Sequence, residues 1–173
     1  VQDAIDLVSD LDLNSESRFR NLEHITCDDQ GGVSRLLTYA ENHGLNLHGG
    51  TPEEKGACPV IGLTGTGGAG KSSLTDELVL RIMRDNPNTK IALLATDPTR
   101  KRTGGALLGD RIRMNSLRKD GAFMRSFASR DSGRELSNAI GRSIEVCRSV
   151  GFDLLIVETS GIGQGDDAIT DIS

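Results

Sequence analysis

Between residues 59 and 84 an apolar stretch, Pro59 to Thr64, leads through Gly65-Thr66-Gly67-Gly68-Ala69-Gly70-Lys71-Ser72 into a segment carrying Leu74, Leu78 and Ile82 on one helical face. A Gly-x-x-x-x-Gly-Lys-Ser spacing set between a strand and a helix leaves few folds open, because every part of it serves one physical end. The glycines let backbone N–H groups turn inward around an oxyanion, and the helix adds the positive end of its dipole to the same place. Lys71 is placed to reach the β- and γ-phosphates of a nucleoside triphosphate. Ser72 is placed to put its hydroxyl on Mg²⁺, and Ser73 to donate to a phosphate one residue deeper. The bland alternative, a glycine-rich turn that only joins strand to helix, fits the flanking periodicity less well.

The remainder of the chain repeats the strand, loop, helix order. Ile91 to Ala95 reads as a buried strand ending at Asp97-Pro98, and Gly104 to Arg118 as a loop leading into a short helix. Phe123 to Phe127 reads as a third strand, Arg134 to Val150 as a helix with Leu136, Ile140, Ile144 and Cys147 on one face, and Leu154 to Val157 as a fully apolar fourth strand. Strands alternating with helices predict an α/β fold of the P-loop NTPase class, a parallel sheet with helices on both faces. Upstream, Ala4, Leu7, Val8 and Leu11 fall at helical spacing, and a second helix is predicted from about Val33 to Asn42, stopped at Gly44. Residues 44 to 56 have loop chemistry, so the expected organisation is a helical linker over 1–56 and the N-terminal part of a P-loop domain over 57–173. The chain begins at Val1 rather than Met and stops soon after a Gly-rich loop, which reads as a piece of something longer, truncated at its C-terminus.

Composition narrows the partners. A net charge of −5 argues against a nucleic-acid binder, since phosphate backbones select basic surfaces. Cys27, Cys58 and Cys147 form no Cys-x-x-Cys pair, so neither a disulfide framework nor a zinc site is suggested, and a reducing cytoplasm is the expected setting. No apolar run approaches the roughly 18 residues of a membrane span. His24, His43 and His48 read as surface or linker residues, and Arg100-Lys101-Arg102 as a solvated loop, with contact to phosphates or a partner domain as the alternative.

Two further strand ends carry acids. Glu158 stands where Leu154-Leu155-Ile156-Val157 ends, and the carboxyl ends of parallel strands are where α/β ligands sit. A carboxylate there can hold Mg²⁺ directly or through water, and the following loop, Thr159-Ser160-Gly161-Ile162-Gly163-Gln164-Gly165, can sense a γ-phosphate through a backbone N–H. Gln164 is placed as a water-positioning glutamine would be, with an inert loop residue as the alternative. Thr96-Asp97-Pro98 lies at another strand end, followed by Gly104 to Arg113; taken alone, Asp97-Pro98 is a common turn and Asp110 could be a helix N-cap.

Taken together, Gly65 to Ser73, Thr96-Asp97, Gly105 to Asn115 and Val157 to Gly165 resemble the GTPase chaperones that serve adenosylcobalamin-dependent acyl-CoA mutases. The runs Gly-Ala-Leu-Leu-Gly-Asp-Arg-Ile-Arg-Met-Asn and Glu-Thr-Ser-Gly-Ile-Gly-Gln-Gly-Asp are closest to the version fused inside isobutyryl-CoA mutase. The resemblance is specific over roughly residues 57 to 168. It implies that Gly68, Ala69, Gly70, Lys71, Ser72 and Ser73 hold the phosphates and that Arg113 contacts the nucleotide. It also implies that Ser72, Asp97, Asp110 and Glu158 surround Mg²⁺ with Thr96 and Thr159 adjacent, and that Lys71, Glu158 and Gln164 serve GTP hydrolysis. The same resemblance implies cobalamin-binding and mutase domains as partners, a homodimeric full-length protein, and adenosylcobalamin bound by the parent enzyme and not by this chain. The guanine-reading Asn-Lys-x-Asp motif and the cobalamin motif Asp-x-His-x-x-Gly are both absent, so GTP rests on the resemblance. An ATP-dependent kinase or ATPase of the same class, and a nucleotide-binding regulatory module that does not hydrolyse, are the rival readings.

Overall fold

A computed structural model describes residues 25–43, 58–97, 114–128 and 133–159. The elements are α1 (Gln30–His43), β1 (Val60–Leu63), α2 (Lys71–Asp85), β2 (Ile91–Asp97), a 3₁₀ turn (Ser116–Arg118), β3 (Ala122–Ala128), α3 (Gly133–Val150) and β4 (Leu154–Glu158). The strands form one parallel sheet in the order β1-β4-β2-β3. Parallel neighbours need crossovers, and helices supply them.

Alternation along the strands separates two apolar clusters. Ala92, Leu94, Phe123, Phe127, Leu155 and Val157 face α1 and α3. The intervening residues Ile91, Leu93, Met124, Leu154 and Ile156 face α2 through Val79 and Met83. Helices thus lie on both faces, as the sequence pattern predicts. β4 has a neighbour on each side and a helix layer on each face, so all five of its residues, Glu158 included, are buried.

Several boundaries differ from expectation for identifiable reasons. α1 starts three residues before Val33 because Asp29 Oδ1 accepts the Gly32 N–H at 2.8 Å, a helix cap. On α2 the buried stripe is Thr75, Val79 and Met83, one position on from Leu74, Leu78 and Ile82. Leu78 and Ile82 are half-buried at the edge of the cluster, while Leu74 is 58% exposed. The shift has a polar cause: Thr75, not Leu74, points at the sheet, where its hydroxyl meets Glu158. The stretch expected to lead into a short helix ends as a single 3₁₀ turn, with residues 98–113 outside the described set. The first predicted helix, residues 44–57 and the side chain of Leu136 also lie outside it.

α1 stands on the N-terminal side of the boundary expected at 56/57, and its Val33, Leu36, Leu37 and Ala40 are buried in the same cluster as the sheet. Polar ties fix the same end of the chain: Cys27 N–H donates to Val150 O at 2.9 Å, and Lys90 pairs with Asp28 at 2.5 Å. Arg125 on β3 bonds Glu41 at 2.9 Å and lies over the Phe127 ring.

Gly121, at φ +94°, turns the chain into β3 while its carbonyl accepts the Ile91 N–H at 2.8 Å. A Cβ at that position would meet Thr89 O and Lys90 Cδ at 3.2 Å. Gly121→Ala is therefore expected to cost about 1–2 kcal/mol through left-handed strain alone. Urea denaturation checks this, and an unchanged midpoint would count against it.

Candidate functional site

The loop between β1 and α2 ends at Gly70, whose φ of 84° and ψ of 17° lie in the left-handed region and whose position is the N-cap of α2. No side chain caps that helix, so its first-turn N–H groups open towards the cleft. Lys71, the first helical residue, sends its ammonium back over the loop, where Nζ donates to Gly65 O at 2.6 Å and Thr66 O at 3.1 Å. Ala69 N–H donates to Thr66 O at 3.2 Å and closes the loop on itself. The Lys71 ammonium thus lies over the glycine loop at the start of α2, where the sequence leads phosphates to be expected.

Glu158 comes in from the sheet. It pairs in register with Leu63 of β1 and Ala95 of β2, which puts its carboxylate beside the start of α2. Ser72 Oγ donates to Glu158 Oε1 at 2.7 Å. Thr75 Oγ1 lies 3.3 Å from Oε2 and 3.0 Å from Lys71 O, so its one proton is shared between two acceptors. Glu158 is 8% exposed, and a carboxylate so enclosed depends on such donors. The Ser72 hydroxyl and the Glu158 carboxylate form a pair of hard oxygen donors that meets the chemistry of Mg²⁺.

The remaining expected residues divide into those the structure reaches and those it does not. Thr96 and Thr159 flank Glu158 and are buried; Thr96 Oγ1 donates to Glu158 O at 3.4 Å, and Thr159 donates to Leu63 O through N–H at 3.0 Å and through Oγ1 at 3.5 Å. Asp97 ends β2, opposite Ala128; only its backbone is described. Asp110, Arg113 and Gln164 lie outside the described residues.

An open cleft of about 550 Å³ runs from Gly68, Gly70, Lys71, Ser72 and Ser73 to Glu158. Its wall includes Asp76, Glu77 and Leu80, which lie outside the sequence motifs, and Met114 and Asn115, which close the Gly105 to Asn115 run without being given a role there. Asp76 and Leu80 follow Ser72 and Ser73 at helical intervals, so the periodicity of α2 carries a signal for them. Asp76 Oδ1 accepts the Ser116 N–H at 2.7 Å and Oδ2 the Asn115 N–H at 3.1 Å. Desolvation pushes the Asp76 pKa up, but the hydrogen bonds from Ser116 and Asn115 outweigh it and hold the carboxyl below its ordinary value. On the far side of the sheet, burial pushes the Cys147 thiol up to about 12, with the Cys58 thiol a lesser contributor, so Cys147 acts as an apolar core residue.

A parallel sheet whose first strand feeds a glycine loop, with Lys71 folded back over that loop and Ser72 bonded to a strand-end glutamate, defines a P-loop nucleotide-binding protein of the α/β class. Residues 33–173 match the family model of MeaB, the methylmalonyl Co-A mutase-associated GTPase, and the chain belongs to that family. A fused isobutyryl-CoA mutase of Geobacillus kaustophilus is 51% identical over 162 residues, covering 87% of this chain and 15% of that protein. The fused isobutyryl-CoA mutase of Cupriavidus metallidurans is 48% identical over 155 residues, covering 86% of this chain and 14% of that protein. The crystal structure of an LAO/AO transport system kinase shares the fold, with a TM-score of 0.59 at 23% identity over 87% of this chain and 44% of that one. The chain therefore spans a small part of the length of the fused mutases it matches. No helix among the described residues is long and apolar enough to cross a membrane.

Proposed function

We propose that this chain binds GTP with Mg²⁺ and hydrolyses it as the G-protein chaperone part of an adenosylcobalamin-dependent acyl-CoA mutase of the fused isobutyryl-CoA mutase type. In that role nucleotide state gates cofactor loading and protects the mutase. The observation that carries the nucleotide reading is the meeting of Lys71, Ser72 and Glu158 at an uncapped helix start. Family membership and about half identity to fused mutases support guanine and the mutase partner.

The residues divide the work. Loop amides from Gly68 to Ser73 take the phosphate oxygens, and Lys71 exchanges two neutral carbonyls for anionic acceptors, which are the stronger partners for an ammonium. Ser72 and Glu158 would hold Mg²⁺, joined in the same reading by Asp97 and Asp110, with Thr96 and Thr159 adjacent. Bound there, the ion supplies charge neutralisation on the β- and γ-oxygens. Arg113 and Gln164 take the nucleotide and the attacking water in the same reading. Hydrolysis of this kind needs positioning and fixed charge rather than a covalent intermediate.

Calorimetry of the chain with GTP and with ATP, each with Mg²⁺, followed by single-turnover phosphate release, tests the reading. Preference for GTP with release supports it. Preference for ATP supports the kinase or ATPase reading, and binding without release supports a regulatory module.

A further inference from the structure

We propose that Asp76 is a positioning residue of this cleft: it fixes Asn115, which with Met114 makes up the part of the described wall that belongs to neither the phosphate loop, its helix nor β4. The inference rests on the nucleotide reading above and adds to it a residue on which that site's geometry depends. Asp76 lies one helical turn beyond Ser72 on the same rigid α2, so whatever it holds is referenced directly to the phosphate loop.

What it holds is backbone. The carboxylate accepts Ser116 N–H at 2.7 Å on one oxygen and Asn115 N–H at 3.1 Å on the other, with Asn115 Nδ2 at 3.5 Å from the second oxygen. Two N–H donors on two oxygens fix direction as well as distance, where one bond would leave the turn free to swivel. Asn115 stands at the N-cap of the 3₁₀ turn and makes no side-chain cap of its own, so Asp76 supplies the cap from another element.

Apolar contact alone does not do this. Met114 is 3% exposed in the cluster with Val79 and Met83, which anchors the chain there but is non-directional. Asn115 is exposed, and among the described residues it is Asp76 that takes both its backbone N–H and its side-chain amide. The same face of α2 thus presents Ser72 and Ser73 to a ligand and, one turn on, sets where the neighbouring wall stands.

The test uses the full chain with Mg²⁺ and GTP, comparing wild type, Asp76→Asn and Asp76→Ala at a temperature where melting curves show all three folded. Amide hydrogen exchange reads the clamp without any nucleotide. In Asp76→Ala, exchange at Asn115 and Ser116 is expected to speed up by about 10-fold. Turnover is expected to fall by about 10-fold, with KM changed by less than about 3-fold, because misplacement of a wall costs orientation more than uniform binding. Asp76→Asn, which replaces one of the two accepting oxygens with an NH₂ donor, should fall between. Faster exchange with unchanged kcat overturns the proposal and leaves Asp76 a structural cap; unchanged exchange overturns the clamp itself. A wild-type chain that binds no nucleotide overturns the reading of the cleft, and the exchange result then still reports separately on the clamp.

Discussion

Replacing Lys71 with alanine is expected to weaken Mg²⁺–GTP binding by about 100-fold or more, while leaving the melting temperature close to that of wild type. The affinity estimate follows from the contacts at stake. Lys71 Nζ spans the loop to Gly65 O and Thr66 O, and a phosphate oxygen would replace neutral acceptors with charged ones. Hydrogen bonds to charged groups contribute about 1.5–3 kcal/mol each, so two lost together amount to about 3 kcal/mol or more, a factor of about 100 in affinity. Stability is spared because Lys71 is only half-buried, and water can replace its ammonium at Thr66 O and at the part-buried Gly65 O. Calorimetric titration reads the first quantity and a thermal melt the second. Unchanged affinity would sink the assignment of Lys71, whereas a collapsed melt would mean that the lysine serves the fold.

The second large effect concerns packing. Leu37→Ala is expected to destabilise the protein by about 3 kcal/mol, within the range for large-to-small changes at fully buried sites. Leu37 is 0% exposed, in a cluster with Ala92, Leu94, Phe123 and Phe127 from the sheet and Ile140, Ile144 and Cys147 from α3. Leu74→Ala on exposed α2 surface is the matched control, expected to change stability by less than about 0.5 kcal/mol. Chemical denaturation followed by circular dichroism separates the two. We propose from this packing that α1 and the sheet unfold as one unit, so that a chain started at residue 57 would expose Phe123 and Phe127 to water. If Leu37→Ala melted only a local helix and left the main transition untouched, that unity would be refuted.

Much of the site is legible in the order of residues alone. The phosphate loop can be read because its chemistry is local: glycine freedom, a lysine and a serine at fixed offsets need only a short run of consecutive residues to declare themselves. Glu158 is legible for a different reason, since a charged residue closing a run of apolar ones marks a strand end. The strands expected from apolar runs, such as Phe123 to Phe127 and Leu154 to Val157, lie within β3 and β4 and fall short of them only at the ends. Thr75 is harder. Its place on the buried stripe depends on how α2 is rotated, and Leu74, Leu78 and Ile82 make an equally good helical face on paper. Rotation is settled by what the helix meets, here Glu158 and the residues beneath Val79 and Met83.

By itself, the sequence determined the local devices: a glycine loop set between a strand and a helix, strands apolar enough for a doubly covered sheet, and helices of the right length between them. Tertiary structure alone decided which strand lies beside which. The order β1-β4-β2-β3 brings Glu158 next to a loop from far earlier in the chain, with Ser72 Oγ 2.7 Å from its carboxylate across a separation of 86 residues. It also decided that α1 belongs to the sheet's core and that Asp76 reaches Asn115 and Ser116. Local chemistry acts over a few bonds and is written in adjacent residues. Strand neighbours and helix rotation are set by the joint burial of many distant side chains, and no single stretch of sequence records that.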